Sequence, residues 1–234
     1  MTNDSSLERT LRRRGFLGVA AGTTAAALLG AGAGTPGAAT APAAGRGGRP
    51  VLPPGRLGIQ LYTLRDQIRE IGFARVFEAL AAYDYDEVEF AGYSQGTGPI
   101  TLAQLRRLMG DNGLSGVGSH VGYHSGDPNA YTFATNLNQV LDDAQALGLP
   151  HIGTASSPNR YGNTVDAWKR AAEEFNTYGA AAKARGMRFY QHNHSDEFSF
   201  ATDRPDVRLY DVLVQETDPD LVYLEMDIYW AYVG

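Results

Sequence analysis

The chain has 234 residues, with 20 basic and 26 acidic side chains, a formal net charge of −6 and no cysteine. The acidic balance argues against a phosphate-backbone partner, so we do not expect nucleic acid binding. The lack of cysteine excludes disulfides and cysteine catalysis, so folding must rest on the burial of apolar surface.

Residues 1–44 have the composition of an export signal. Arg12-Arg13-Arg14-Gly15-Phe16-Leu17 precedes an Ala- and Gly-rich apolar run, and small residues follow from Ala39 to Ala44. The arginines resemble a twin-arginine signal, which predicts a periplasmic or extracellular protein. The apolar run is too short and too rich in glycine to predict a stable membrane span, although a retained N-terminal anchor is the alternative. Residues 45–56 are predicted to be a disordered linker.

From Leu57 onward, short strand patterns alternate with amphipathic helix patterns. The patterns predict strands at 57–62, 87–90, 116–120, 151–154, 187–194 and 221–227. Helices are predicted between them at 67–83, 102–112, 130–147, 165–185 and 207–216. Gly113, Gly148 and Gly186 are typical helix C-terminal residues, whereas Thr164 and Asp206 are typical of helix starts.

This alternation predicts a parallel sheet with helices outside it. Successive units take roughly 33 residues each, which is close to the pace of a (β/α)8 TIM barrel of about 250 residues. An open doubly wound sheet is the alternative, but no G-x-G-x-x-G sequence follows the first strand. About six of the eight βα units then fall within residues 57–234. We therefore expect a partial barrel and a chain that is a fragment of a longer protein.

Polar side chains gather at the ends of the predicted strands, where barrel enzymes place their active sites. His192 lies near the end of the fifth strand and Asp227 ends the sixth, and an imidazole beside a carboxylate is typical of a divalent metal site. We therefore predict that His192 and Asp227 are metal ligands. The alternatives are a core histidine for His192 and a cap of the following turn for Asp227. His194 is predicted to bind substrate or to orient a ligand.

Three further groups are candidates for proton transfer. Glu89 and His120 end the second and third strands, and Glu197 lies in the loop after the fifth. Structural roles for Glu89 and His120, and a solvated loop carboxylate for Glu197, are the alternatives. Tyr62 and Trp230 are predicted to form an apolar wall for a sugar ring, with core packing as the alternative. The sequence has no phosphate-binding Gly-rich loop, no G-x-S-x-G elbow and no H-E-x-x-H motif.

Five segments in order resemble the xylose isomerase-like TIM barrels that are also called sugar phosphate isomerases/epimerases. They are GIQLYTLRD at 58–66, YDEVEF at 85–90, Ser119-His120, HNH at 192–194 with Glu197-Phe198, and LEMDIYW at 224–230. The resemblance covers residues 57–234. It implies a (β/α)8 barrel that binds one divalent ion (Mn, Mg, Co or Zn) and isomerises or epimerises a sugar or related polyol through an enediolate.

The resemblance also implies where the ligands lie. His192 falls where many members carry a glutamate, Asp227 matches the ligand of strand six, and the remaining His and Glu would lie beyond Gly234. As a fragment, the chain is therefore expected to be inactive. His192 leaves open a lyase or dehydratase that acts on an oxidised sugar, and a non-catalytic carbohydrate-binding protein is another alternative.

The implied partner is a small-molecule carbohydrate, and a homo-oligomer is compatible with the family. A related metal-dependent abasic-site nuclease is a third alternative, but acidity and predicted export argue against that activity.

Overall fold

The computed structural model describes residues 57–93 and 99–234. Strands there are β1 (Gly58–Gln60), β2 (Glu87–Ala91), β3 (Ser115–His120), β4 (His151–Thr154), β5 (Arg188–His192) and β6 (Val222–Glu225). Helices are α1 (Arg65–Ala82), α2 (Leu102–Asp111), α3 (Phe133–Leu147), α4 (Val165–Lys183), α5 (Leu209–Glu216) and α6 (Ile228–Val233). The predicted export signal and linker lie outside the described residues. No described helix is long and apolar enough to cross a membrane.

The strands form one parallel sheet whose order follows the chain from β1 to β6. A doubly wound sheet instead reverses its order at a switch point. The consecutive order therefore confirms the barrel-type prediction over a doubly wound sheet. Register pairs Gln60 with Glu89 and His192 with Glu225. Because all strands are parallel, their carboxyl ends meet at one edge of the sheet.

The predicted helix signals are mostly confirmed. Thr164 caps α4 by accepting a hydrogen bond from the Ala167 amide at 3.2 Å. Gly148 ends α3 in the left-handed conformation, at φ 76°, which costs glycine little. The predicted start at Asp206 is wrong, because α5 begins at Leu209 and the Asp206 carboxylate is paired with Arg204.

The core lies between the helices and the sheet. In α1 the buried side chains Phe73, Val76, Phe77 and Leu80 recur at intervals of three and four residues and point towards the sheet. Between α3, α4 and β5 the rings of one aromatic cluster pack together: Tyr123, Phe133, Phe175, Tyr178 and Phe189. Burying such rings makes a large apolar contribution to stability.

Three short elements near the site were not predicted. They are the 3₁₀ turns Leu61–Leu64 and Asp196–Phe198, and helix α6. Strand β5 ends at His192 and β6 at Glu225, both two residues earlier than predicted. As a result Tyr62 lies in a turn, Asp227 is the N-cap of α6, and Trp230 lies within α6.

Candidate active site

Two imidazoles and two carboxylates from four strands converge at the carboxyl edge of the sheet. The Nε2 atom of His120 lies 3.0 Å from Glu89 Oε1 and 3.0 Å from Glu225 Oε2. The Nδ1 atom of His192 lies 3.0 Å from the same Glu225 oxygen. The centroids of the two imidazole rings are 4.8 Å apart. These four residues are called the His/Glu cluster below.

Strand geometry explains why these side chains meet. Alternate residues of a strand share a face, so Tyr190 and His192 of β5 point the same way. The Tyr190 hydroxyl donates a hydrogen bond to Glu89 Oε1. Gln60 Nε2 donates to the other oxygen, Glu89 Oε2, at 2.9 Å. The Glu89 carboxylate is therefore fixed by donors from β1, β3 and β5.

His120 and Glu225 of the His/Glu cluster shift each other's pKa values. Burial lowers the pKa of His120, but hydrogen bonds to Glu225 and Glu89 outweigh it and raise the pKa to about 9. Burial raises the pKa of Glu225, but hydrogen bonds to His120 and His192 outweigh it and lower the pKa to about 2. Without a bound cation, the His120 imidazolium therefore lies between two carboxylates at neutral pH. Burial and the Glu89 carboxylate raise the pKa of Tyr190, so its hydroxyl remains a donor.

The cluster has a donor set that suits a divalent ion. One ligand atom each from His120, His192 and Glu225 lies within 4.8 Å of the others. Imidazole nitrogens with a carboxylate oxygen suit ions such as Zn, Mn or Co. Two of the three side chains are almost fully buried, which limits competition from solvent. The residues present therefore fit the cation that the sequence predicted.

Asp227, the second predicted ligand, lies beside His192. Its Oδ2 is 3.8 Å from His192 Nε2, on the side of the ring opposite Glu225. Its Oδ1 caps α6 by accepting from the amides of Tyr229 at 2.9 Å and Trp230 at 3.0 Å. The capping alternative is thus confirmed for one oxygen, and the other oxygen faces the imidazole. Its role as a metal ligand stays a prediction.

The buried Asn193 side chain holds the backbone of Asp227 in place. Its amide nitrogen donates to the Asp227 carbonyl at 3.1 Å, and its oxygen accepts from the Asp227 amide at 2.9 Å. This pair of bonds ties the end of β5 to the end of β6. Asn193 stands between two histidines in the sequence, but its pairing with Asp227 follows only from the tertiary structure.

Glu225 is the principal site residue that sequence analysis missed. Alternation along an extended strand would place Glu225 and Asp227 on the same face, which is a signal that the sequence contains. Only the register of β5 against β6, which pairs His192 with Glu225, shows that its carboxylate reaches both imidazoles.

Glu197 is fully buried, so the alternative of a solvated loop carboxylate is wrong. It accepts hydrogen bonds from the His194 amide at 2.9 Å and from Gln191 Nε2 at 3.3 Å. Burial raises its pKa. These contacts hold the turn after β5 in place, and a catalytic role for Glu197 stays a prediction.

A cavity of about 740 Å³ opens beside the cluster. Its described lining includes Gln60, Tyr62, Tyr93, His120, Tyr131, Asp143, Ser156, His192 and His194. Glu89, Glu225 and Asp227 line an adjoining recess of about 340 Å³, which shares Gln60 and His192 with the cavity. Trp230 is not among the cavity-lining residues, but its ring packs against His194 at 5.6 Å. Burial and the neighbouring His192 lower the pKa of His194.

Comparison with known proteins gives a consistent result. A family model described as "xylose isomerase-like TIM barrel" matches residues 77–234. No curated protein matches the sequence significantly.

Several solved structures share the fold. A sugar phosphate isomerase/epimerase from Parabacteroides distasonis ATCC 8503 is 25% identical, with a TM-score of 0.63, over 76% of this chain and 67% of that one. An L-ribulose 3-epimerase is 17% identical, with a TM-score of 0.54, over 76% and 62%. A family 2 AP endonuclease from Brucella melitensis is 15% identical, with a TM-score of 0.51, over 68% and 64%. The last two show the fold alone, and this chain spans less than two thirds of either.

Proposed function

The chain belongs to the xylose isomerase-like TIM barrel family, and on that premise we propose that it forms the catalytic edge of a metal-dependent isomerase or epimerase. Its substrate would be a sugar or related polyol, and the reaction would pass through an enediolate. The structure of a sugar phosphate isomerase/epimerase among the similar folds supports this class of enzyme.

The observation that carries the proposal is the His/Glu cluster itself. Burying the two imidazoles and the Glu89 carboxylate is costly unless they are paired. Among the described residues they pair with one another, with the half-buried Glu225, with Asp227 and with hydrogen-bond donors. Such groups at the carboxyl ends of barrel strands are typical of a catalytic centre. The cavity beside them can admit a small polar substrate.

We assign the ligands from the contacts. His120, His192 and Glu225 would hold the divalent ion, with Asp227 adjacent to the second ring nitrogen of His192. A bound ion would polarise the substrate carbonyl and its neighbouring hydroxyl, which would lower the pKa of the C–H bond on the hydroxyl-bearing carbon next to the carbonyl. His192 can offer only one nitrogen to a given ion. Its Nδ1 atom faces Glu225 and its Nε2 atom faces Asp227, so the two carboxylates are alternative partners for an ion bound to this ring.

Glu89 is the group best placed to carry a proton. Gln60 and Tyr190 donate hydrogen bonds to its two oxygens and orient the carboxylate, and His120 Nε2 lies 3.0 Å from Oε1. A carboxylate that is held in one orientation beside a substrate cavity can take a proton from a carbon acid and return it to the same or the neighbouring carbon. The hydrogen bond from the His194 amide to Glu197 would hold His194, which lines the same cavity, in place.

The experiment is proton exchange at the carbon next to a ketose carbonyl. The Mn-loaded full-length protein that contains residues 57–234 is incubated in D2O with L-ribulose or D-fructose, and deuterium incorporation is followed by NMR. We expect exchange that is lost in His192→Ala and Glu89→Gln and retained in Glu87→Gln, a control at the start of β2. Sugar binding without exchange would instead support the non-catalytic alternative. An unsaturated product from an oxidised sugar would support the lyase or dehydratase.

A further inference from the structure

The wall of the cavity formed by α3 and the turn before it carries a second polar group that the proposed reaction does not use. The Tyr131 hydroxyl donates to Asp143 Oδ2 at 2.7 Å, and Gln139 Nε2 donates to Asp143 Oδ1 at 2.7 Å. Tyr131 and Asp143 both line the cavity. The Asp143 carboxylate is therefore fixed in direction and faces the space that a substrate would fill.

This carboxylate retains capacity for more hydrogen bonds. A carboxylate accepts about four, and the contacts with Tyr131 and Gln139 use two. The Tyr93 side chain also lines the cavity, but its hydroxyl is buried with Ser119 as its polar neighbour, so it is not assigned a contact with substrate. One oriented acceptor with spare capacity suits the hydroxyl groups of a polyol.

Charge narrows the substrate class further. Among the described residues that line the cavity and its recess there is no Lys or Arg, whereas Asp143, Glu89, Glu225 and Asp227 are acidic. Arg65 lies near Tyr62, but it is bound to the Tyr62 carbonyl at 2.8 Å and lies over the ring. A phosphate ester would need a cationic or amide-rich partner in place of these acidic groups.

Resting on the proposed function, we infer that Asp143, held in place by Tyr131, forms a hydroxyl-binding subsite that selects uncharged sugars over their phosphate esters. The His/Glu cluster would act at the reacting carbons, and the subsite would bind hydroxyls elsewhere on the same molecule. Asp143 would add both an acceptor for hydroxyls and a repulsion against phosphate.

The test compares sugar pairs that differ only in the phosphate. Binding of D-fructose, D-fructose 6-phosphate, L-ribulose and L-ribulose 5-phosphate to the Mn-loaded protein is measured by saturation-transfer NMR titration. We expect the free sugars to bind more tightly than their esters. Asp143→Asn should weaken the binding of free sugars about three- to tenfold and reduce the preference for free sugars over their phosphate esters. Tyr131→Phe should weaken the binding of free sugars by a smaller factor. Asp111→Asn, an exposed aspartate on α2 that does not line the cavity, is the matched charge control.

Each outcome has a defined consequence. Esters that bind as tightly as free sugars, or free-sugar binding that Asp143→Asn leaves unchanged, would overturn the subsite. If that binding still depends on His192, the proposed function survives the loss of the subsite. If neither class of sugar binds, both proposals fail. Circular dichroism and the Tm of each variant show whether it is folded, and Tyr131→Phe provides a second, milder probe.

Discussion

His120 Nε2 and Glu225 Oε2 lie 3.0 Å apart, although 105 residues separate them in the chain. The same imidazole nitrogen is 3.0 Å from Glu89. The proton on His120 Nε2 thus links the three strands β2, β3 and β6, and a cation bound to this nitrogen would have to displace that proton.

The first prediction concerns the pH dependence of stability in the chelator-treated protein. The pKa of His120 is raised from 6.5 to about 9. Its ion pairs therefore stabilise the fold fully below pH 6.5 and cease to do so as the pH rises through about 9. We expect the Tm difference between wild type and His120→Gln to shrink across this interval. A difference that stays constant with pH would show that the pair carries no such linkage.

Metal affinity should depend on Glu225. Glu225→Gln removes the charge that faces both imidazoles, so we expect Mn or Zn binding to weaken by at least about tenfold. Isothermal titration calorimetry measures the affinity. Glu87→Gln is the control, because it removes the same charge at the start of β2, away from the His/Glu cluster. Equal affinities in the two variants would exclude Glu225 as a ligand.

Asp227 allows its two roles to be separated. Asn caps helices about as well as Asp, whereas Ala loses the cap at a cost of about 1 kcal/mol. Asp227→Asn should therefore keep the thermal stability of the metal-free protein, and Asp227→Ala should lower it. If Asp227 also binds the ion, both variants should lose metal affinity. Wild-type affinity in Asp227→Asn would leave only the capping role.

A further pH effect is expected at Glu174, away from the cluster. Burial raises the pKa of Glu174, but hydrogen bonds from Tyr123, Tyr161 and Arg160 outweigh it and lower the pKa. A lowered pKa stabilises the fold above the ordinary value of 4.5 and the effect is lost as the pH falls through the folded-state pKa. Glu174→Gln should cost about 1 kcal/mol at pH 7.

Urea unfolding at several pH values measures this effect, with the exposed neighbour Glu173→Gln as control. The gap between wild type and Glu174→Gln should close below pH 4.5. A gap of the same size at every pH would assign the cost to packing instead of charge.

Gly153 should tolerate no side chain. A Cβ atom there would lie 2.2 Å from the Tyr190 carbonyl oxygen and 2.6 Å from its ring. Gly153→Ala should therefore destabilise the fold by about 1–3 kcal/mol and displace the Tyr190 hydroxyl from Glu89. Gly126→Ala, where nothing lies within 4 Å, should be close to neutral. Chemical denaturation compares the two variants, and equal stabilities would contradict the close approach.

The sequence alone determined the fold class and part of the site. Alternating periods of two and 3.6 are local properties of the chain, so the positions of the six strands and of helices such as α4 followed from residue order. The same alternation placed Tyr190 and His192 on one face of β5. Short elements such as α6 were not predicted, because six residues carry too little periodicity to distinguish a helix from a turn.

Tertiary structure alone decided which side chains touch. Strand register, which depends on packing between distant segments, paired His192 with Glu225 and placed His120 between two carboxylates. Tertiary packing also buried Glu197, for which the sequence allowed either a catalytic group or a solvated loop carboxylate. One oxygen of Asp227 caps a helix and the other faces an imidazole. These distinctions depend on distances between residues far apart in the chain, and no local pattern encodes them.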